Sequence, residues 1–267
     1  MIVDLEKVAA VIEEIAQTEV ASRFGKLSDG DIDTKSSPND FVTQADKAAE
    51  AALEIALKDF YPGAGFIGEE SVAADPSRIK ALGGEGAFWI VDPLDGTRNF
   101  VQLREEFGTI VALVVDGIIQ AGWIYAIPDK KFAIASKGDG VSWAGEILVP
   151  LSPPTGVMIG HRAIGNMEEP WKTRLVPRLK ESYQTEPVHC SAYGYLNLIR
   201  GKKDFGLYSR CHPWDHAAGV LMLHEISGRA EYLDDGSEYA PLANQGRPLL
   251  IAGSNDRFEQ VKNTLMR

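Results

Sequence analysis

The sequence predicts a layered α/β fold. Helix-like and strand-like stretches alternate along the chain, with no internal repeat, low-complexity tract or linker between them. The 267 residues suffice for one large core or two closely packed halves. Hydrophobic residues at 45% and charged residues at 24% give the ordinary balance of a globular protein.

Charge and cysteine content narrow the function classes. A formal charge of −11 argues against a general nucleic-acid surface, which needs clustered Lys and Arg. It leaves phosphate substrates open, because divalent cations invert the local field. Cys190 and Cys211 form no CxxC pair and read as reduced, buried thiols of a cytoplasmic protein. Asp4, Glu6 and Lys7 within the first residues do not fit a secretory leader. The apolar run 108–127 imitates a membrane span, but Asp116-Gly117 at its centre is a hairpin signal, so two paired strands are expected there and no membrane contact.

Taken in order, Leu5, Val8, Val11, Ile12 and Ile15 mark an amphipathic helix over 3–24 that ends near Gly25. A polar loop over 26–37 follows. Thr43 is placed to cap a helix running to Phe60, with Asp46 in its first turn, where an acid suits the helix dipole. Residues 65–68 read as a short strand ending in Glu69-Glu70-Ser71, and 73–86 as a loop. Strands are expected at 88–91, 107–115, 118–127 and 132–136, with a turn over 137–140. In the second half, strands at 157–161, 186–189 and 204–208 alternate with helices at 168–182 and 192–200. Pro213 pre-sets the first turn of an apolar helix that continues to Gly228.

Two stretches carry chemistry. The strand ending at Val91 delivers Asp92 and Asp95 on a loop, with the Leu94 carbonyl between them. Such hard oxygens suit Mg²⁺, although Asp95-Gly96 alone would be an ordinary turn. Asp215 sits at a helix N-terminus, placed either to cap or to aim a carboxylate at a metal. His212 and His216 have the i, i+4 spacing of a zinc pair, but Pro213 starts the helix between them and no HExxH is present.

Four ordered motifs span nearly the whole chain: Lys35…Asp40-x-Val42-Thr43-x-x-Asp46, Gly68-Glu69-Glu70-Ser71, Asp92-Pro93-Leu94-Asp95-Gly96-Thr97-x-Asn99-Phe100 and Trp214-Asp215-x-Ala217-x-Gly219. Together they resemble the inositol monophosphatase family of Mg²⁺-dependent, lithium-sensitive phosphatases. The resemblance implies an α/β/α/β/α sandwich, also seen in fructose bisphosphatase, commonly as a homodimer. It implies one domain over 1–267, with most metal ligands in 1–150 and the site completed by 151–267. Glu69, Asp92 and the Leu94 carbonyl match the ligands of a first Mg²⁺; Asp92, Asp95 and Asp215 match those of a second; a third would lean on Glu69. Gly96 and Thr97 match the phosphate cradle. Thr97, Glu69 and Glu70 match the groups that orient the attacking water, and Asp46 matches the acid bonded to the threonine. Ser191 and Tyr208 join Asp95, Gly96, Thr97 and Asp215 as expected substrate contacts.

The implied reaction is direct attack of water on a phosphomonoester, with inositol 1-phosphate or 4-phosphate as the expected substrate. Fructose 1,6-bisphosphate, 3′-phosphoadenosine phosphate, NADP and histidinol phosphate are the family's other substrates. Some bacterial relatives instead act in transcription or ribosome biogenesis through protein contacts. A haloacid dehalogenase mechanism would require Asp-x-Asp, whereas the spacing here is Asp92-x-x-Asp95. Three departures bear on selectivity. Arg98 follows Thr97, His189-Cys190-Ser191-Ala192 replaces a glycine- and serine-rich stretch, and Tyr208 stands seven residues before Asp215, where animal enzymes carry a glutamate.

Overall fold

The computed structural model describes residues 3–34, 41–242 and 244–267. Lys35 to Asp40, the start of the first motif, lie outside the described residues. Asp4 caps helix α1 (Leu5–Ile15) by accepting from the Lys7 N–H at 3.2 Å. A π-helical turn (Ala16–Val20) and a 3₁₀ turn (Ala21–Arg23) carry the chain on to Gly25, whose φ of 71° ends the helix. The segment expected as a loop contains a 3₁₀ turn (Asp29–Asp31) and strand β1 (Ile32–Thr34), paired antiparallel with β2 (Phe41–Thr43). Helix α2 (Gln44–Leu57) starts at its Thr43 cap and ends a turn before Phe60.

Seven strands form the first sheet in sequence order. They are β3 (Gly65–Gly68), β4 (Ala87–Asp95), β5 (Gly108–Val115), β6 (Ile118–Ala126), β7 (Lys131–Ser136), β8 (Gly140–Trp143) and β9 (Glu146–Ile147). β3 and β4 are parallel and the remaining pairs antiparallel. Asp116 and Gly117 have φ values of 50° and 74°, as a primed hairpin turn requires. Short helices α3 (Glu69–Ala74) and α4 (Thr97–Val101) leave the C-terminal ends of the two parallel strands. The sequence reading is corrected here as well: Glu69 and Glu70 open a helix, the expected loop over 73–86 contains a 3₁₀ turn (Arg78–Gly83), and Asp92 to Asp95 remain in β4, which continues past its apolar run.

The second sheet comprises β10 (Ile159–Ala163), β11 (Gln184–Pro187), β12 (Phe205–Cys211), β13 (Arg229–Tyr232) and β14 (Asn244–Ala252), in the order β11-β10-β12-β14-β13. Its first three strands are parallel, and β14 runs antiparallel to both neighbours. Helices α5 (Trp171–Ser182), α6 (Ser191–Ile199), α7 (Pro213–Glu225) and α8 (Asn255–Met266) connect and flank these strands.

Period-two alternation turns the sheets into layers. Trp89, Val91, Val111 and Trp123 pack with α1 and α2, whereas Ile90, Ile110, Ala112 and Ile124 pack with α6 and α7 on the other face. Tyr208, Leu249 and Ile251 of the second sheet join that same central cluster. Leu207, Leu250 and Ala252 face outward to α5 and α8. The order is helices, sheet, helices, sheet, helices. Helix α7, between the sheets, buries ten of its thirteen residues, so it is apolar nearly all round. Among the described residues no helix is long and apolar enough to cross a membrane.

Candidate active site

The acidic cluster arises where β4 loses its regular pairing. Its register with β5 shifts between Asp92 and Asp95, an irregularity that re-aims side chains at the end of a strand. Asp215, in the first turn of α7, meets them from the second half. One carboxylate oxygen from each of Asp92, Asp95 and Asp215 lies within 4.8 Å of the others. Asp92 and Asp95 are buried and Asp215 half-buried at a cavity of about 220 Å³. Glu69, Leu94, Gly96, Thr97, Ser191 and Tyr208 also line that cavity. Gly96 has φ 86°, and a Cβ there would lie 2.9 Å from the Glu106 carbonyl oxygen, so this turn requires glycine.

Asp46 and Glu70 are not lining residues. Asp46 stands behind Thr97, its Oδ1 2.9 Å from the Thr97 hydroxyl, which is also 2.9 Å from the Leu94 carbonyl. Its other oxygen accepts from the Thr43 N–H at 2.8 Å and the Thr43 hydroxyl at 2.6 Å. Asp46 therefore completes a capping box and contacts Thr97 at once; the two readings of this residue are compatible.

Asp95 ties the sheets together. Its Oδ2 accepts from the Ala192 N–H at 2.5 Å and the Cys190 thiol at 2.9 Å, at the start of α6. Burial, with the hydrogen bonds opposing it and the nearby Glu69 charge adding to it, pushes the Asp95 carboxyl up to about 6. Asp46 is also pushed up to about 6, chiefly by burial. Asp215 is raised by burial and then by Asp95 and Glu69, with Arg210 opposing. Burial, then Asp95, likewise lifts the Cys190 thiol, which stays protonated. Desolvated carboxylates held this close need protons or a cation between them. An all-oxygen donor set of this kind fits a hard divalent ion.

Glu50 buttresses the site from behind and was missed in the sequence reading. From α2 its carboxylate accepts from the Glu70 and Ser71 N–H groups, each at 2.7 Å, and so fixes the start of α3 that carries Glu69. A Cβ on Gly68 would lie 2.3 Å from the Glu50 carboxyl carbon, so the approach requires glycine. The available signal was an acid one turn after Asp46 on the buried stripe of α2, beside Ala49 and Leu53. Glu50→Gln replaces one acceptor oxygen with a donor facing an N–H. The expected result is about 1–3 kcal/mol lower stability and roughly tenfold lower turnover. Thermal denaturation and phosphate release measure both; no change in either would show that α3 is held without this carboxylate.

Tyr208 is 2% exposed, and its hydroxyl is 2.8 Å from His161 Nε2, so its ring rather than a free hydroxyl meets the cavity. Burial lowers His161 to about 3, leaving it neutral. The β12–β14 register shifts between Tyr208 and Arg210, and Arg210 emerges exposed at the cavity rim. His216 is buried, with Nδ1 2.7 Å from the Tyr195 hydroxyl and Nε2 3.1 Å from the Arg210 carbonyl. His212 is the cap residue before α7, so the two histidines do not form a metal pair.

Fold and site define a layered α/β protein whose clustered carboxylates are suited to holding cations. Residues 4–260 match the inositol monophosphatase family. An inositol-1-monophosphatase of Bacillus subtilis is 30% identical over 230 residues, covering 81% of this chain and 83% of its own. Human inositol monophosphatase 1 is 31% identical over 201 residues, covering 73% and 72% respectively. A solved IMPase/NADP phosphatase complexed with Mg²⁺ and phosphate superposes with a TM-score of 0.78 at 22% identity, over 97% of this chain and 95% of that one. The chain belongs to the inositol monophosphatase family and is a phosphatase.

Proposed function

We propose that the chain hydrolyses small phosphomonoesters, inositol 1-phosphate or 4-phosphate among them, with two or three Mg²⁺ ions held by Glu69, Asp92, the Leu94 carbonyl, Asp95 and Asp215. The observation that carries this reading is the convergence of Asp92, Asp95 and Asp215 within 4.8 Å, beside the Thr97–Asp46 pair. Uncatalysed phosphate-ester hydrolysis is extremely slow, so the site must stabilise charge and supply a nucleophile. Bound cations supply the first directly, and the second by lowering the pKa of water.

The chain's own groups set the geometry. Asp46 accepts the Thr97 proton, which turns the Thr97 lone pairs toward the cavity to receive a hydrogen from water. Glu69, which lines the same cavity, accepts the water's other hydrogen, and Glu70 follows it at the start of α3, outside the lining. Backbone N–H groups at Gly96 and Thr97 cradle the phosphate oxygens, and the water attacks phosphorus in line, its oxygen bonding to phosphorus as the ester P–O bond breaks; its proton passes to Glu69, and the departing alkoxide takes one up from solvent and leaves as the alcohol. The name of the Bacillus relative and the Mg²⁺ and phosphate of the solved neighbour support the substrate and the ion. The same reading carries lithium inhibition, a homodimer, cytoplasmic residence and a single domain over 1–267.

The test is phosphate release from inositol 1-phosphate by protein stripped with EDTA and then titrated with Mg²⁺. No turnover is expected before Mg²⁺ and full turnover after; undiminished activity in EDTA would sink the reading. Mg²⁺ at 100 times its Kd should add about 2.7 kcal/mol of stability. A pH series supplies the sign. Folded Asp46 and Asp95 keep protons up to about 6 that the unfolded chain releases near 3.8. Stability of the metal-free protein is therefore fullest below pH 3.8 as far as these groups are concerned, and falls as pH rises through 6. Mg²⁺ should reduce that fall.

A further inference from the structure

Strand β5 carries a single polar side chain, on a face that is otherwise apolar. Alternation sets Thr109 in line with Val111 and Leu113, which pack with α1 and α2, and Thr109 itself is 1% exposed. Valine has nearly the same shape and would suit that layer without a polar atom to satisfy. The Thr109 hydroxyl donates to the Pro93 carbonyl at 2.9 Å. Pro93 lies between Asp92 and Asp95, where the β4–β5 register shifts. Asp92 pairs with Ile110 and Asp95 with Gly108, so Pro93 and Leu94 together face Thr109. The same peptide unit is held at its other end. Its N–H belongs to Leu94 and donates to Asp92 Oδ1 at 3.1 Å. The Pro93–Leu94 bond is trans, so this planar unit points its carbonyl and its N–H in opposite directions. Thr109 from β5 and Asp92 from β4 thus grip opposite ends of one rigid group. Turning that group toward another donor would draw the N–H off Asp92 Oδ1 and release the carboxylate to rotate.

We propose that Thr109 is a positioning residue for the cation site: through the Pro93–Leu94 peptide, its hydroxyl fixes the rotation of the Asp92 carboxylate. The proposal rests on the Mg²⁺ reading above and adds to it a residue that does not line the cavity. A carboxylate already turned to its working angle has less freedom to lose when an ion arrives. Removing a group that orients a ligand in this way commonly lowers metal affinity or activity by about 10–100-fold. Thr109 acts one peptide further back, so the lower end of that range is expected. The Thr97 hydroxyl is held by other contacts, with Asp46 and the Leu94 carbonyl. The loss therefore falls on ion capture and spares the chemical step once the ions are bound.

The test titrates Mg²⁺ alone into the metal-stripped protein by calorimetry, for the parent and for Thr109→Val, Thr109→Ser and Thr109→Cys. Thr109→Val should bind Mg²⁺ about tenfold more weakly, whereas Thr109→Ser keeps the donor and should stay within about threefold of the parent. Thr109→Cys offers a weak thiol donor on a similarly small side chain and should fall between them. In phosphate release from inositol 1-phosphate, the Mg²⁺ half-saturation of Thr109→Val should rise by the same factor of about ten. Its kcat and KM at saturating Mg²⁺ should remain within about threefold of the parent. A purely structural hydroxyl would instead lower the melting temperature in EDTA and leave Mg²⁺ affinity unchanged, and that result would overturn the proposal. Thr109→Ser binding Mg²⁺ as weakly as Thr109→Val would overturn it too. If Thr109→Val does not fold, Thr109→Ser and Thr109→Cys decide, and equal Mg²⁺ affinity in those two overturns the proposal. A parent that binds no Mg²⁺ would overturn the cation site itself, and this inference with it, before any variant is compared.

Discussion

Asp95→Asn and Asp215→Asn should each lower kcat/KM by about 10²–10⁴, the scale expected when several kcal/mol of cation-based stabilisation is lost. Each exchange removes one negative charge from a set whose oxygens converge within 4.8 Å. Stability in EDTA separates this loss from simple unfolding. Asp215 is raised by burial and by repulsion from Asp95 and Glu69, so a neutral amide relieves strain in the cation-free protein. The Asp215→Asn melting temperature in EDTA should equal or exceed that of the parent, while the increment gained on adding Mg²⁺ shrinks. Asp95→Asn can keep its amide oxygen toward the Ala192 N–H and so preserve the junction with α6. Near-normal turnover in both variants would place the cation site elsewhere.

Thr97→Ala should lower kcat by about 10²–10³ with KM changed only a few-fold, because orienting the water matters mainly in the transition state. Thr97→Ser keeps the hydroxyl within reach of Asp46 and should retain most of the rate. Asp46→Asn is the informative partner. The Asp46 Oδ2 already receives two Thr43 donors, so an amide in its place would keep its oxygen on Thr43 and turn its NH₂ toward Thr97. The Thr97 proton would then turn from that amide to the Leu94 carbonyl 2.9 Å away, while the amide donates to the lone pair that would have met the water, and the rate should fall about as far as in Thr97→Ala. A split of the two variants by more than about tenfold in kcat would mean that Asp46 does not act through Thr97.

Much of this site was legible because its residues lie at the ends of well-marked elements. Thr43 and Pro213 announce helix starts, and the apolar run before Asp92 announces a buried strand. The motif order then placed Asp46, Glu69, Asp92, Asp95 and Asp215 along the chain, and the fold brings all but Asp46 to one cavity, with Asp46 directly behind Thr97. What was not legible depends on pairing across distance. Glu50 looks like one more acid on a helix until α3 is folded onto it. The hydroxyl of Tyr208 looks free until β10 brings His161 alongside. Short strands such as β1 and β9 carry too few residues for a periodic pattern. Thr109 looks like one more β-branched strand residue until the β4–β5 register sets Pro93 against it.

The contact of Asp95 with the start of α6 has a consequence for how activity is acquired during folding. One carboxylate belongs both to the cation cluster and to the seam between the two sheets. A chain with only its first sheet formed lacks Asp215 and leaves Asp95 unanchored, so it has neither the full ligand set nor the pocket. Linkage makes the dependence mutual: whatever free energy the seam lends to ion capture, ion capture returns to the seam. On the proposed reading cations act as mortar as well as catalysts, and a chain that has not closed its seam cannot begin hydrolysing phosphate esters.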